Sequence, residues 1–387
     1  MKDYFFIDSK SKSSVEQYAF VFENALFRPA DVEVAVKFHY ANFFRHVLCW
    51  RKYKFRLRFV FNIRETLFPD DDGRVYYFFN SAENLKLIKN RKHTHIFFGH
   101  GESNKRASLH PLYRLYDYVL VAGPFAGKRL QQFDILNEAT VAERVRDIGG
   151  ASVANVDYDD LLLIGDEDIQ PSARGLLYMP TWEGGVDSEN YSTVDEPRLA
   201  DFLVQTARKF SAEFICIKPH ANTGTRLAAL KERLADLITT IESQGIKLVM
   251  TRKDLSVIPR SKRLALRTRP CTSLKMPPDF SCAIVDVSAA ESMAAKIGVP
   301  SIVLATRKNG LYAPEQYMQT KGKSVIHLAD WTSMEACASH ALTQAASDYQ
   351  RDYIDFFLDD GNARFRHAVT EIEADLERKR IRGSRTD

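Results

Sequence analysis

Short apolar runs that alternate with helix-length amphipathic segments constrain this chain more than any other feature. In the second half they are LLYM (176–179), FICI (214–217), KLVM (247–250), AIVDV (283–287) and SIVL (301–304). The alternation is the signature of βαβ units and a parallel sheet. Between the first two runs, TVDEPRLADFLVQTARKF offers a capping residue, Thr193 or Asp195, with Pro197 in the first turn. Its Leu199, Phe202, Leu203, Ala207 and Phe210 recur at helical spacing. Thr225 similarly precedes Leu227, Leu230, Leu234, Leu237, Ile238 and Ile241, which make one apolar face. Both segments are predicted helices that pack on the sheet.

The first half repeats the pattern less cleanly. YFFI, VEVAVKF, FRLRFVF, VYYFF, HIFF and YVLVAG read as strands, and SVEQYAFVFENALF and AENLKLIKN as helices. A length of 387 residues exceeds one domain of roughly 100–200 residues, so two α/β halves are expected. Their division falls in the polar stretch 150–174, where Asp and Gly crowd and Pro171 breaks any continuing element. The expected segments are 1–165, 166–345, and a helical, basic tail 346–387.

Composition excludes some classes of function. No window of eighteen apolar residues reads as a membrane-spanning helix. The opening MKDYFFIDSKSK lacks a signal-peptide pattern, so a cytoplasmic protein is expected. Cys49, Cys216, Cys271, Cys282 and Cys337 are far apart without a CxxC pair, which argues against a disulfide framework or a zinc site. A net charge of +4, from 54 basic and 50 acidic residues, is too mild to call for nucleic acid. The cations are uneven, clustering in RKYKFRLR (51–58) and in the tail ERKRIRGSR. In the former, Lys52, Lys54, Arg56 and Arg58 alternate with Tyr53, Phe55, Leu57 and Phe59. That pattern fits a half-exposed edge strand and a contact with an anionic membrane surface equally well.

Two motifs are decoys. GPFAGKR (123–129) gives G-x-x-x-G-K-R, one spacer short of a nucleoside-triphosphate loop and without its Ser or Thr, so it reads as a turn. The acidic runs DDD (70–72) and DYDD (157–160) have oxygens for a hard cation, but Asp70 to Asp72 lie between Pro69 and Gly73, which is turn chemistry. No metal is expected. No GxGxxG follows a strand, so a dinucleotide fingerprint is missing.

Four stretches lie just past strand ends, where ligands bind in open α/β sheets. In GHGES (99–103), Gly99 and Gly101 permit a sharp turn that leaves His100 approachable; Glu102 can orient the imidazole and Lys105 can face an anion. This histidine is a candidate general base or, equally, a structural residue. In YMPTWEGG (178–185) a strand runs into Pro180, Thr181 and Trp182, and Trp182 suits a ligand or interface packing. IKPH (217–220) places Lys218 and His220 at a strand end, either to meet a phosphate or as a polar turn broken by Pro219. VDVSAAESMAAKIGVPSIVL (285–304) reads as strand, Ser288 cap, small-residue helix and strand. Its helix start is an anion site in principle, and Glu291 and Ser292 can reach a ribose or phosphate; an ordinary capped βαβ unit reads the same way.

Taken in order, the four stretches resemble the CDP-glycerol glycerophosphotransferase family of teichoic-acid and capsule-building transferases, over roughly residues 75–370. FFLDDGNARFR (356–366) resembles that family's closing motif. The resemblance implies a GT-B fold: two Rossmann-like domains, the N-terminal one binding acceptor and the C-terminal one the nucleotide donor, with an interdomain cleft and C-terminal helices. It implies that His100 and His220 are the catalytic pair, His100 deprotonating an acceptor hydroxyl and His220 helping to bind the donor diphosphate. Pro180, Thr181, Trp182, Lys218, Asp286, Ser288, Glu291 and Ser292 would line the donor site. Gly101, Glu102, Ser103 and Lys105 would contact acceptor or phosphate. Such phosphoryl transfer needs positioning, charge neutralisation and a base, without an obligatory metal or cofactor.

Ala289 and Met293 depart from the family's serine and aspartate, and Glu102-Ser103 from its threonine-proline. The expected activity is transfer of glycerol phosphate or ribitol phosphate from a CDP-polyol to a hydroxyl of a lipid-linked glycan, releasing CMP, at the cytoplasmic face of a membrane. The chain's size favours priming over long-chain polymerisation. Two alternatives are a GT-B sugar-nucleotide glycosyltransferase and a non-catalytic glycan- or nucleotide-binding protein.

Overall fold

A computed structural model describes residues 1–10, 14–69, 72–99, 103, 105–123, 126–306, 325–328, 331, 344–358 and 361–383. The chain divides into two compact units. The first comprises Met1–Glu102, Leu109–Ala154 and Phe356–Asp387; the second comprises Ser103–Ser108 and Asn155–Asp355.

The first unit holds seven strands: β1 (Asp3–Ile7), β2 (Val32–Lys37), β3 (Arg56–Val60), β4 (Arg74–Tyr77), β5 (Thr94–Phe97), β6 (Tyr118–Val121) and β7 (Val145–Asp147). Their order is β3-β2-β1-β4-β5-β6-β7, with every neighbouring pair parallel. Parallel neighbours require crossovers, so the faces are covered and the central strands become continuously apolar. In β1, Tyr4 to Ile7 are all buried, with Phe5 opposite Val34 on one side and Tyr76 on the other.

The core is largely aromatic and is closed by the chain's end. Helix Gly361–Gly383 packs Phe365, Ala368 and Ile372 into it, a spacing of three and four residues that puts all three on one helix face. The Phe365 ring lies 5.2 Å from Phe27 and 5.9 Å from Phe98. Arg74, buried, donates to Asp3 at 2.6 Å and to Glu373 of this helix at 2.6 Å. The FFLDDGNARFR stretch therefore works, in its described part, as the anchor that returns the chain to its first unit.

The second unit holds β8 (Leu161–Ile164), β9 (Arg174–Met179), β10 (Phe214–Ile217), β11 (Lys247–Thr251), β12 (Thr268–Pro270), β13 (Asp279–Asp286), β14 (Ser301–Ala305) and β15 (Val325–His327). The order is β12-β8-β11-β10-β9-β13-β14-β15. β8 runs antiparallel to both neighbours, and the other pairs are parallel. Side-chain alternation sorts the two faces. Leu176, Tyr178, Ile215, Ile217, Leu248 and Met250 join the core under helices Leu199–Lys209 and Ala229–Ser243. Leu177, Met179, Phe214, Cys216 and Val249 join the core on the other face.

All eleven apolar runs read as strands lie on strands, β1 to β6 in the first half and β9, β10, β11, β13 and β14 in the second. The differences are local. LLLI (161–164) forms β8 inside the polar stretch expected to divide the halves, and it belongs to the second unit, whereas a boundary at 165 places it in the first. The acids around it hide a four-residue run. Helix Leu199–Lys209 starts after Arg198, not at Thr193 or Asp195, because the Thr193 hydroxyl is committed to Asp286. RKYKFRLR is not one strand: Arg51 to Tyr53 end a helix, Lys54 turns with φ 62°, and Arg56 begins edge strand β3.

Gly150 tests the closing anchor. A Cβ there would meet the Phe357 carbonyl oxygen at 2.9 Å, a backbone atom that a rotamer change cannot move. Gly150→Ala should cost about 1–3 kcal/mol, read as a lower urea midpoint at unchanged slope. An unchanged midpoint would show that this close approach is not needed.

Candidate functional site

In the second unit the strand order reverses between β9 and β13, which makes their C-terminal ends a topological switch point. β13 ends at Asp286, whose side chain is fully buried. Its carboxylate accepts the Thr181 N–H at 2.7 Å, the Thr193 N–H at 3.3 Å and the Thr193 hydroxyl at 2.6 Å. Burial pushes the Asp286 carboxyl up to about 7, while these donors and the nearby Lys105 charge pull the other way. One buried carboxylate thus fixes the loop after β9 and the segment at Thr193.

Lys105 belongs to this unit, carried on the short segment Ser103–Ser108. Its ammonium donates to Thr181 Oγ1 at 2.6 Å and lies 5.7 Å from the Tyr191 ring centre. Lys105 keeps part of its surface exposed, yet the protein around its amine lowers the pKa to about 8, opposed by the charges of Asp286 and Glu189. Ser103 accepts the Lys105 N–H through its hydroxyl at 3.2 Å.

Trp182 and His220 stack, with ring centres 5.8 Å apart and planes at 18°. His220 Nδ1 accepts the Asn222 N–H at 3.1 Å, which leaves Nε2 to carry the proton of the neutral ring. The His220 N–H donates to the Pro180 carbonyl at 3.2 Å, tying the loop after β10 to the loop after β9. Both rings are part-exposed. Together with Lys105 they place a cation, an imidazole and an indole around buried Thr181.

Lys218, expected to meet a phosphate, is turned elsewhere: its ammonium donates to Asp254 at 2.8 Å and to the Asp157 carbonyl. Ser288 donates to the Asp286 carbonyl at 3.1 Å and accepts the Ala290 N–H at 3.2 Å, one residue before the assigned cap Ala289 of helix Ala290–Lys296. Ser292 donates to the Ala289 carbonyl at 2.8 Å, and both it and Glu291 are buried. The structure therefore groups Pro180, Thr181, Trp182, His220, Asp286 and Lys105, and sets Lys218 in an ion pair. His100, Gly101 and Glu102 lie outside the described residues.

Glu183 received no role from sequence reasoning. It is fully buried, and its carboxylate accepts the N–H groups of Gly224 at 2.9 Å, Arg226 at 2.7 Å and Leu227 at 2.9 Å. Burial raises its pKa, but these hydrogen bonds outweigh that and hold it below 4.5. The donors just ahead of helix Ala229–Ser243 are thus taken by the protein's own anion. Gly184 follows with φ +69°, where a Cβ would meet the Glu189 backbone at 2.6 Å.

The first unit has its own switch point, between β1 and β4. Asp8 directly follows β1. One of its oxygens lies 2.9 Å from His39 Nε2; the other accepts the Ser81 hydroxyl and lies 3.9 Å from Lys37 Nζ. Lys37 also pairs with Glu83 at 2.8 Å. A carboxylate-held imidazole can take a proton from a hydroxyl. Asp8 after YFFI and His39 after VEVAVKF obey the same strand-end rule that singled out the other four loops, so that rule could have found them. Among the described residues, no group of three or more His, Cys, Asp or Glu is placed to hold a metal.

No protein-family model and no curated protein sequence matches the chain. Solved structures do. A Listeria monocytogenes protein assigned as a UDP-N-acetylglucosamine 2-epimerase superposes with a TM-score of 0.55 at 10% identity, covering 97% of each chain. S. aureus MnaA, solved with UDP, gives 0.52 at 10% identity, again over 97% of each. The glycotransferase of kitacinnamycin gives 0.51 at 10%, over 96% of this chain and 98% of its own. The fold is GT-B. At this identity the likeness speaks to architecture, and the chemistry must come from the site.

Glu183→Gln should cost about 1–3 kcal/mol at neutral pH, since one buried and two part-buried N–H donors lose a charged acceptor. The wild-type carboxylate's contribution is present above about 4.5 and is lost as pH falls through its depressed folded value. The stability gap between wild type and variant, read by urea unfolding, should therefore shrink in acid. A gap that is absent at pH 7 would remove Glu183 from this role.

Proposed function

We propose that the chain is a GT-B enzyme that uses a nucleotide-activated donor, a sugar nucleotide in the first instance, and transfers its activated group to a hydroxyl. The observation that carries this reading is Lys105 held at Thr181 beside buried Asp286, at the switch-point edge of the second sheet. A donor diphosphate needs cations and N–H donors at a strand-end edge, and Lys105 and His220 supply both. The Trp182 face adjoining His220 suits a base or sugar ring. The UDP solved with MnaA and the sugar-nucleotide name of the Listeria protein support the donor class.

Transfer requires a base for the incoming hydroxyl and stabilisation of the leaving diphosphate. On the acceptor side the sequence points to His100, and the first sheet's edge adds the Asp8-held imidazole of His39. A lipid-linked glycan is the acceptor class we favour. The order of GHGES, YMPTWEGG, IKPH and VDVSAAE supports a second reading, transfer of glycerol or ribitol phosphate from a CDP-polyol. The two differ in the bond that breaks. Attack at the sugar carbon releases a nucleoside diphosphate; attack at the distal phosphorus releases CMP.

Product analysis decides between them. Incubation with UDP-, GDP- and CDP-activated donors and a panel of hydroxyl acceptors should release a nucleoside diphosphate only when acceptor is present. CMP release establishes the second reading. Conversion of a sugar nucleotide with no nucleotide release, or binding without turnover, contradicts both. In the productive assay, His100→Ala should lower kcat by at least about 100-fold with donor binding retained. Near-normal kcat would exclude His100 as base.

A further inference from the structure

The first unit carries an exposed aromatic surface that its fold does not use. Tyr40 is 80% exposed, Phe44 67%, Leu48 61% and Phe61 69%. Helix Phe43–Tyr53 buries His46 and Cys49 and turns the opposite stripe, Phe44, Leu48 and Arg51, outward at a spacing of four and three residues. Tyr40 stands in the short 3-10 turn before the helix, and Phe61 follows the end of β3. Phe61, Phe38, Phe43 and Phe44 form a continuous run of rings. Phe61 lies 4.8 Å from Phe38, Phe38 5.7 Å from Phe43, and Phe43 5.3 Å from Phe44, between ring centres.

Its charge is one-sided. From Tyr40 to Arg64 the cations are Arg45, Arg51, Lys52, Lys54, Arg56, Arg58 and Arg64, and there is no carboxylate. Glu16, Glu23 and Glu33 from neighbouring elements pair with Arg45, Lys52 and Arg58 at 3.2, 3.4 and 2.7 Å. Arg51, Lys54, Arg56 and Arg64 are exposed and make no ion pair among the described residues. Exposed large apolar side chains that share a strand–helix–strand crossover with unpaired cations, Arg64 beyond Phe61 and Arg51, Lys54 and Arg56 toward the helix's far end, suit an interfacial membrane contact, where rings enter the headgroup region and cations meet anionic lipid.

We infer that this face docks the first unit on an anionic lipid bilayer, through Tyr40, Phe44, Leu48 and Phe61, with Arg51, Lys54 and Arg56 toward the far end of the helix and Arg64 beyond Phe61. A second copy of the chain is a poorer occupant, because a two-fold contact brings this cation-rich patch against itself. Tyr40 and Phe61 follow β2 and β3 at the C-terminal edge of the sheet, the same edge that holds Asp8 and His39. Docking there brings the first unit's polar cluster to the membrane surface. The inference goes beyond the proposed chemistry and is tested without it.

The test is flotation of the purified full chain with neutral phosphatidylcholine vesicles and with vesicles containing roughly one-third phosphatidylglycerol. The chain should float with the anionic vesicles and lose that binding in high salt. Phe44→Ser/Leu48→Ser/Phe61→Ser and, separately, Arg51→Glu/Lys54→Glu/Arg56→Glu should each weaken binding by at least about tenfold. Tyr40→Ser alone, at the most exposed position, should weaken it measurably with an unchanged unfolding midpoint. Failure of the wild type to bind anionic vesicles overturns the inference, as does equal binding by these variants. Dimerisation abolished by the same substitutions, without vesicle binding, also overturns it and assigns the face to a second copy.

Discussion

Burial of the Asp286 carboxylate is the constraint on which the second unit's candidate site depends. A carboxylate removed from water is costly unless donors surround it, and here two backbone N–H groups and one hydroxyl do so. Those donors come from Thr181 and Thr193, so satisfying one charge fixes the chain after β9 and the segment that leads into helix Leu199–Lys209. Thr181, once fixed, offers its hydroxyl to Lys105. Glu183 repeats the device one loop away, with three N–H donors from residues 224 to 227. The two acids are scaffold, and the part-exposed Lys105, Trp182 and His220 are what they hold in place.

Much of this fold was legible because buried parallel strands must be short, continuously apolar runs. FICI and SIVL could hardly be anything else once amphipathic helical segments flanked them. β8 was not legible: LLLI is four residues long and bordered by Asp160 and Gly165, so its surroundings read as linker. The two short edge strands β7 and β12 carry little apolar pattern, since Val145–Asp147 and Thr268–Pro270 are not buried. Helix Phe43–Tyr53 was hidden for a different reason. Phe44 and Leu48 stand on its outward side among Arg45, Arg51 and Lys52, so its apolar residues do not fall on one buried face.

The candidate site was legible in its positions more than in its roles. The rule that looks past strand ends singles out Thr181, Trp182, His220, Asp286 and Lys105, and the structure groups these residues at one sheet edge. Which of them face solvent could not be read. The resemblance implies that Asp286, Glu291 and Lys218 line the donor site; in the structure Asp286 and Glu291 are buried and Lys218 pairs with Asp254. Such commitments depend on partners 36 to 105 residues away, beyond any local spacing rule. The first unit's edge obeys the same rule. Asp8 and His39 sit past β1 and β2 just as Thr181 and His220 sit past β9 and β10.

The two units thus carry different equipment on equivalent sheet edges. The second offers a cation, an imidazole and an indole, the groups on which the proposed donor site rests. The first offers an imidazole held by Asp8, beside an aromatic face that shares its crossover with unpaired cations. The central claim is that the second edge holds the donor diphosphate. A crystal structure of the chain with a bound nucleoside diphosphate tests it most directly. The diphosphate is expected at the C-terminal ends of β9 and β13, with phosphate oxygens hydrogen-bonded to Lys105 or His220. A diphosphate seated away from both side chains would contradict the claim.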